Sequence, residues 1–194
     1  MTVIGITGSS GSGKSTLTGV FARHGALICD ADAIYHRLLA ESSEMRDALV
    51  AEYSQDILSG SRIDRKKLSA VVFSDPDKLL KLNAITHPFV IAEIVHSLET
   101  PGIETAVIDA PLLFESGLDG MCDVTIGVLA PRDMRLLRIM ERDHLSREAA
   151  EARLDAQKPA SYYSERADLI LANDGSLEDF QEKCEKLRRD ISKE

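Results

Sequence analysis

The chain carries a lysine and two hydroxyl residues directly after a glycine- and serine-rich segment near its N-terminus. Residues 8–16 are Gly-Ser-Ser-Gly-Ser-Gly-Lys-Ser-Thr, which satisfies the spacing G-x-x-x-x-G-K-[ST]. Small residues let successive backbone N–H groups converge on a phosphate, a lysine neutralises its charge, and a hydroxyl is an oxygen ligand that Mg²⁺ accepts. The segment therefore predicts a site for the phosphates of a nucleotide.

The positions within this loop predict separate roles toward ATP and Mg²⁺. Lys14 is expected to reach the β- and γ-phosphates, Ser15 to offer its hydroxyl to Mg²⁺, and Thr16 to lie beside the α-phosphate. A helix that begins near Lys14 would add the positive end of its dipole. The predicted nucleotide-binding residues are Gly8, Gly11, Ser12, Gly13, Lys14, Ser15 and Thr16. The structural alternative is a Gly/Ser turn that only joins a strand to a helix.

Aspartates at the ends of two apolar runs supply carboxylates for metal binding and base catalysis. Asp30 and Asp32 close the second run of the chain, and because they stand two apart we expect both side chains at one edge of the sheet. Asp109 ends another run, in the position of an aspartate that holds Mg²⁺ directly or through water, with Ser15 as the second metal ligand. The alternatives are that Asp30 and Asp32 cap the next helix and that Asp109 is a turn residue before a proline.

Three arginines follow Pro131 at helical spacing. Arg135, Arg138 and Arg142 stand three and four residues apart, so a helix places them on one face. Phosphoryl transfer depends on positioning and on charge stabilisation, and Arg138 and Arg142 could close over a γ-phosphate and exclude water. A solvated face whose arginines pair with neighbouring acids is the alternative.

The elements that must position these residues are strands that alternate with helices. Apolar runs without polar alternation are typical of parallel strands buried on both faces, and five occur, at 3–6, 26–30, 106–108, 124–129 and 169–171. Residues 33–103 have helical periodicity instead, with helix starts predicted at Asp64, at Asp75-Pro76 and at His87-Pro88. A last helix is predicted to begin at Ser176, within a capping-box pattern.

Composition excludes several classes of protein. The 194 residues carry 23 basic and 32 acidic side chains, a net charge of −9, which opposes binding to nucleic acid or to an anionic membrane. Three cysteines without a CxxC pair predict neither a disulfide framework nor a zinc site. No apolar run approaches the roughly 18 residues that a membrane span needs, so a cytoplasmic protein is expected.

Further segments, in their order along the chain, resemble the dephospho-CoA kinase family. Besides the loop, they are Asp30-Ala-Asp32, Arg65-Lys-Lys-Leu68, Val72-Phe73, His87-Pro88, Asp109-Ala-Pro-Leu-Leu-Phe-Glu115, Arg138, Arg142-Asp143, Gln157, Ala167-Asp168 and Asn173. The resemblance implies an α/β fold, a three-layer P-loop NTPase core with about five parallel strands, a helical substrate-binding insertion and a helical lid. The corresponding predicted divisions are a core of 1–32, 104–130 and 160–194, an acceptor-binding insertion of 33–103 and a lid of 131–159.

The resemblance also implies an activity and its residues. The activity is ATP-dependent phosphorylation of the ribose 3′-hydroxyl of dephospho-CoA, the last step of coenzyme A biosynthesis. By resemblance, Asp32 accepts the proton of that hydroxyl or orients it, and Arg142 acts with Lys14 in catalysis. Arg65 and His87 would bind the acceptor. Arg138 and Asn173 complete the nucleotide site, and the family allows a monomer or a homotrimer.

Two features leave alternatives open. Ser9 and Ser10 stand where the family usually has a Gly and an Ile, so a left-handed backbone at Ser9 is in doubt. Other small-molecule P-loop kinases, for nucleosides, nucleoside monophosphates or shikimate, would explain the loop and lid equally well. A nucleotide-binding switch of the GTPase class is disfavoured because no Asn-Lys-x-Asp segment follows a late strand, and a structural ATP-binding module is a third class.

Overall fold

The computed structural model describes residues 1–73 and 75–191. The predicted insertion 33–103 and the core segment 160–194 therefore include positions, Ser74 and 192–194, that lie outside the described residues. The chain divides into two compact units, one formed by Met1–Ile28 with Gly102–Glu194 and the other by Cys29–Pro101. The chain passes from the first unit into the second within a strand that ends at Asp30.

The secondary structure alternates strands and helices in the first unit and is mostly helical in the second. The strands are β1 Thr2–Thr7, β2 Leu27–Asp30, β3 Leu58–Ser59, β4 Arg62–Ile63, β5 Thr105–Asp109, β6 Val124–Leu129 and β7 Leu169–Ala172. The α-helices are α1 Lys14–Arg23, α2 Ala31–Glu41, α3 Ser43–Tyr53, α4 Arg65–Val72, α5 Pro76–Leu98, α6 Arg132–Asp143, α7 Arg147–Asp155, α8 Ala160–Ser164 and α9 Leu177–Ile191. Short 3₁₀ turns lie at Gln55–Ile57 and Leu118–Met121.

The main sheet has five strands in the order β2-β5-β1-β6-β7. β1 pairs in parallel with β5 and β6, and β6 pairs in parallel with β7. Ile4 and Ile6 of β1 are fully buried, as expected for a central strand covered on both faces. α1 and α9 pack on each other and contribute Phe21 and Phe180 to the same core. The predicted α/β fold with about five parallel strands is confirmed.

The second unit has its own core around α2–α5. That core contains Leu39, Met45, Leu49, Tyr53, Ile57, Leu68 and Val72. Side-chain oxygens cap its helices: Asp64 accepts from two amides of α4, and Asp75 accepts from Asp77 N–H at the start of α5. β3 and β4 form a small antiparallel hairpin that the helical periodicity of the region did not predict.

The helix start predicted at His87-Pro88 is wrong, because α5 continues through Pro88 as one helix of 23 residues. Proline has no N–H to give to the carbonyl four residues earlier, which normally kinks or ends a helix. Here Thr86, Val90 and Ile94 are buried at four-residue spacing on both sides of Pro88. A single face therefore packs across the proline, and this packing outweighs the local cost.

The segment after β6 carries the arginines. α6 and α7 pack through Leu136, Ile139, Ala150 and Leu154, which form a separate small core.

At the start of α9, Asp179 N–H donates to Ser176 Oγ at 3.1 Å and Ser176 N–H donates to Asp179 Oδ2 at 3.1 Å, the reciprocal cap that the sequence predicted. Among the described residues, every helix is too short or too polar to cross a membrane.

Candidate active site

The glycine-rich loop joins β1 to α1, as predicted, and its glycines adopt a backbone that other residues rarely reach. Gly8, Gly11 and Gly13 have φ values of 143°, 77° and 108°. The positive-φ residues other than glycine, within the described ranges, are Ser54 and His144, so Ser9 needs no left-handed backbone. A side chain at Gly8 would overlap the Val128 carbonyl of the neighbouring strand. The loop is thus closely fitted against β6.

Three observations suit this loop to the phosphates of a nucleotide. Gly13 is the N-cap of α1 and provides no capping side chain, so no side chain of the cap residue occupies the helix N-terminus, where an anion can bind. Ser12 is 1% exposed, and its buried Oγ has no partner among the described protein groups. Lys14 Nζ lies 3.1 Å from the Gly8 carbonyl oxygen, which keeps its charge at the loop.

Asn173, at the end of β7, holds the loop through both ends of its amide. It is 4% exposed, its Nδ2 donates to the Ser12 carbonyl at 2.8 Å, and its Oδ1 accepts from Arg138 Nη2 at 3.1 Å. Arg138 Nη1 also donates to the Gly11 carbonyl at 3.1 Å. Because the amide is engaged at both ends, the predicted nucleotide contact at residue 173 would use its backbone.

Arg135 and Gln157 bind the loop one residue earlier. Arg135 Nε donates to the Ser10 carbonyl at 3.1 Å, and Arg135 Nη2 donates to Gln157 Oε1 at 2.7 Å. The same Gln157 oxygen accepts from Ser10 N–H at 3.0 Å. Burial lowers the pKa of the Arg135 guanidinium. The helical spacing identified Arg135 as one of three arginines on a face, but it did not assign it to the loop.

Arg142 lies at the outer end of the same helix face. It is exposed, its Nη2 donates to Ser10 Oγ at 3.1 Å, and its guanidinium forms a two-nitrogen ion pair with Asp143. This hydrogen bonding to Arg142 holds the pKa of the Asp143 carboxyl below its usual value. Arg153 also donates to Asp143. The arginine predicted to act in catalysis is therefore tethered to the loop through a serine hydroxyl.

Asp109, the predicted Mg²⁺ ligand, lies beside the start of the loop. It ends β5, where it is paired in register with Ile6 of β1, and its Oδ2 accepts from Thr18 Oγ1 at 2.8 Å. Ser15 is exposed one helical turn before the buried Thr18, which places both hydroxyls on the same side of α1. Sequence reasoning missed Thr18, although its position three residues after Ser15 could have indicated it.

A serine hydroxyl and an aspartate beside a phosphate loop suit Mg²⁺. That ion usually takes one or two protein oxygens and completes its six ligands with phosphates and waters. Across 1–73 and 75–191, no three His, Cys, Asp or Glu side chains gather as a group that could hold a metal on protein ligands alone. Ser15 and Asp109 remain the predicted ligands.

In the second unit, the prediction that Asp30 and Asp32 share a strand edge is wrong. β2 ends at Asp30, whose Oδ1 accepts from Ala33 N–H at 2.9 Å as the N-cap of α2. Asp32 is exposed in the first turn of that helix. Strand alternation stops where the cap begins, so the two carboxylates have different roles: Asp30 caps the helix, and Asp32 is presented at its N-terminus.

The predicted acceptor-binding residues both lie in this second unit. Arg65 begins α4, is exposed, and its Nη2 lies 3.2 Å from His36 Nε2. The His36 ring contacts the Tyr35 ring in a tilted arrangement, with ring centroids 5.4 Å apart. His87 is half-buried within α5. His36 was not predicted, and its place beside an arginine 29 residues away has no local signal in the sequence.

A phosphate loop between β1 and α1, an aspartate at the end of the adjacent strand and arginines bound to the loop are the features of the P-loop kinases. Residues 2–179 match the sequence model of the dephospho-CoA kinase family, CoaE. A dephospho-CoA kinase from Fusobacterium nucleatum is 37% identical over 185 residues, which cover 95% of each chain. The chain belongs to the dephospho-CoA kinase family.

Solved structures agree with this assignment. The crystal structure of TT1252 from Thermus thermophilus matches with a TM-score of 0.82 at 35% identity, over 99% of this chain and 97% of that one. A dephospho-CoA kinase from Campylobacter jejuni matches with a TM-score of 0.72 at 33% identity, over 98% and 97%. A shikimate kinase from Bacteroides thetaiotaomicron has a TM-score of 0.56 at 13% identity, which shows a common fold only. The alternative kinases are not better supported.

Proposed function

We propose that the protein phosphorylates the ribose 3′-hydroxyl of dephospho-CoA with ATP, giving CoA and ADP. Membership of the dephospho-CoA kinase family over residues 2–179 supports the acceptor. The observation that carries the proposal is the phosphate loop, in which Ser12 Oγ is buried without a partner and Gly13 leaves the helix N-terminus uncapped. Such a loop is preorganised for a polyphosphate before the nucleotide arrives.

In this proposal the loop binds the nucleotide and the metal site lies beside it. Lys14 contacts the β- and γ-phosphates, and Ser15 and Asp109 hold Mg²⁺ directly or through water. When bound, Mg²⁺ would neutralise charge on the transferred phosphate. The residues that bind the phosphates are Gly8, Gly11, Ser12, Gly13, Lys14, Ser15 and Thr16. Thr18 orients Asp109 through its hydroxyl.

The arginine face supplies charge and excludes water. Arg138 is half-buried and already bound at Gly11, which supports a role in holding the nucleotide end of the loop. Arg142 is exposed, and a single hydrogen bond to Ser10 Oγ connects it to the loop. Breaking that contact and the ion pair with Asp143 would free Arg142 to reach the γ-phosphate, and its exposure makes it the arginine best placed to stabilise the transferred group.

The acceptor is oriented by the second unit. Asp32 receives the proton of the 3′-hydroxyl or aligns that hydroxyl for in-line attack, and its exposure at the start of α2 supports contact with a ligand. With a reference pKa near 3.9, an aspartate is a weak base for an alcohol, so proton transfer comes late in a loose transition state. Arg65 and His87 bind the rest of the acceptor.

The charge and the family of the chain bear on its partners. A net charge of −9 disfavours nucleic acid and anionic membranes, and the family match supports our proposal of a cytoplasmic enzyme that acts on a small molecule. The family resemblance is compatible with a monomer or a homotrimer. Sedimentation of the purified protein separates these two states.

An acceptor panel tests the proposed function. The purified protein with Mg-ATP is expected to convert dephospho-CoA to CoA with one ADP released per CoA formed, measured by coupled ADP release and chromatography. Adenosine, UMP and shikimate serve as competing acceptors. Faster turnover of any of these three than of dephospho-CoA would overturn the assignment. ATP binding without turnover of any acceptor would favour a structural ATP-binding module instead.

A further inference from the structure

Ser10 of the phosphate loop has both its backbone N–H and its carbonyl bound by side chains of residues 131–159, the predicted lid. Its N–H donates to Gln157 Oε1 at 3.0 Å, and its carbonyl accepts from Arg135 Nε at 3.1 Å. Arg135 Nη2 closes the ring by donating to the same Gln157 oxygen at 2.7 Å. Three hydrogen bonds therefore determine the orientation of the peptide groups on either side of Ser10.

The backbones of the loop and of α6 also touch at this point. A Cβ placed on Gly11 would lie 2.9 Å from the Arg135 carbonyl oxygen and 3.2 Å from the Arg135 Cα. A trans peptide holds its carbonyl and the following N–H on opposite sides. Turning the Ser10 carbonyl toward Arg135 therefore turns the Gly11 N–H away from that side chain. Because the loop is proposed to bind phosphate through its amides, the orientation of this peptide determines where the Gly11 N–H, one of those donors, points.

Arg135 shares with Arg138, and not with the exposed arginines of its segment, a set of partners that carry no negative charge. Arg132, on the same helix, pairs with Asp155, and Arg153 pairs with Asp143. Arg135 is half-buried and binds a backbone carbonyl and an amide oxygen. Both of these are neutral acceptors, so its positive charge is kept beside the loop and favours an anion there.

We propose that Arg135 and Gln157 are positioning residues for nucleotide binding, which hold the Ser10 peptide so that the loop amides are preorganised for the diphosphate common to ADP and ATP. They act through Ser10 and do not contact the nucleotide. The inference rests on the proposed function and adds two residues to it. Because the loop amides bind the diphosphate part, a defect in the ring weakens ADP and ATP alike.

The test compares single variants by calorimetric titration with ADP and with ATP. Arg135→Met and Gln157→Leu each break the ring, and each is expected to raise the Kd of both nucleotides by the same factor, about tenfold. Gln157→Glu keeps an acceptor oxygen for both donors but places a carboxylate beside Arg135, so it is expected to lose less affinity than Gln157→Leu without matching the unaltered protein. Arg132→Met is the matched control, since it removes an exposed arginine of the same helix that does not bind the loop. KM for dephospho-CoA should stay within about twofold in all variants, because the ring lies at the nucleotide loop.

The two ring-breaking variants and the Arg132→Met control separate the outcomes. An ATP defect without an ADP defect would mean that Arg135 contacts the γ-phosphate, and it would overturn the positioning role. If Arg132→Met weakened nucleotide binding by the same factor, the effect would come from the positive charge of the lid in general, and the positioning role would be overturned. If Arg135→Met does not fold, as judged by circular dichroism, normal nucleotide affinity in Gln157→Leu overturns the inference on its own. Failure of the unaltered protein to bind either nucleotide would reject the proposed function and this inference with it.

Discussion

Asn173 offers the most direct measure of how tightly the phosphate loop is held. Replacing it with Leu, which has the same number of side-chain heavy atoms, removes the donor to the Ser12 carbonyl and the acceptor for Arg138. A buried carbonyl left without a partner costs about 1–3 kcal/mol, and a lost hydrogen bond to a charged donor costs about 1.5–3 kcal/mol. The leucine regains part of this through apolar burial. We expect the free energy of unfolding to fall by about 2–4 kcal/mol.

Urea unfolding followed by circular dichroism measures this loss, with the slope m unchanged if the transition stays two-state. Asp174→Ala is the control: Asp174 is the next residue, and it is exposed and paired with Lys183. An exposed ion pair is worth at most about 1 kcal/mol. A loss for Asn173→Leu no larger than that of the control would refute the view that Asn173 anchors the loop. The same variant should also weaken ATP binding, which calorimetry measures.

Three further predictions concern catalysis, the metal and pH. Asp32→Asn should lower kcat by about 10²-fold or more with ATP affinity kept, since acid–base groups supply that much, and a loss below about threefold would assign Asp32 to the helix terminus alone. Thr18→Val removes the hydroxyl that donates to Asp109, so the Mg²⁺ concentration for half-maximal activity should rise by about tenfold; an unchanged Mg²⁺ titration would contradict this. Hydrogen bonds from the Thr125 hydroxyl and amide hold the pKa of the Asp168 carboxyl below its usual value. The free energy that they contribute to folding is present at pH values above the pKa of Asp168 in the unfolded chain, and it is lost as the pH falls through the lower pKa of the folded protein. Thr125→Val should therefore make the thermal midpoint fall less steeply as the pH is lowered from about 5 to about 2. An unchanged dependence of the midpoint on pH would contradict a stabilising hydrogen bond between Thr125 and Asp168.

Features that depend on neighbouring residues could be predicted from the sequence. The loop glycines adopt positive φ because only a residue without a Cβ reaches that backbone at low cost. The apolar runs became strands of one parallel sheet, since they lack the alternation of a half-exposed strand. The cap at Ser176 formed with Asp179 because both partners lie within one turn. In each case the causes lie within a few residues.

Local signals failed where packing between distant residues decided the outcome. Pro88 in isolation indicates a helix start, yet the buried face shared by Thr86, Val90 and Ile94 carries α5 through it. Asp30 and Asp32 stand at strand spacing, but the cap bond to Ala33 ends the strand at Asp30. The alternation rule applies only as far as the strand extends, and the cap determined where it ended.

The sequence by itself determined that this chain has a phosphate loop, an aspartate beside it and a helix with three arginines on one face. Only the tertiary structure decided what each arginine binds. Arg135 and Arg138 bind loop carbonyls more than 120 residues away, whereas Arg142 pairs with its own neighbour Asp143 and contacts the loop through the Ser10 hydroxyl. The physical reason is that helical spacing sets only the direction in which side chains point. The order of strands in the sheet sets what they meet, because it brings the loop after β1 beside the helix after β6.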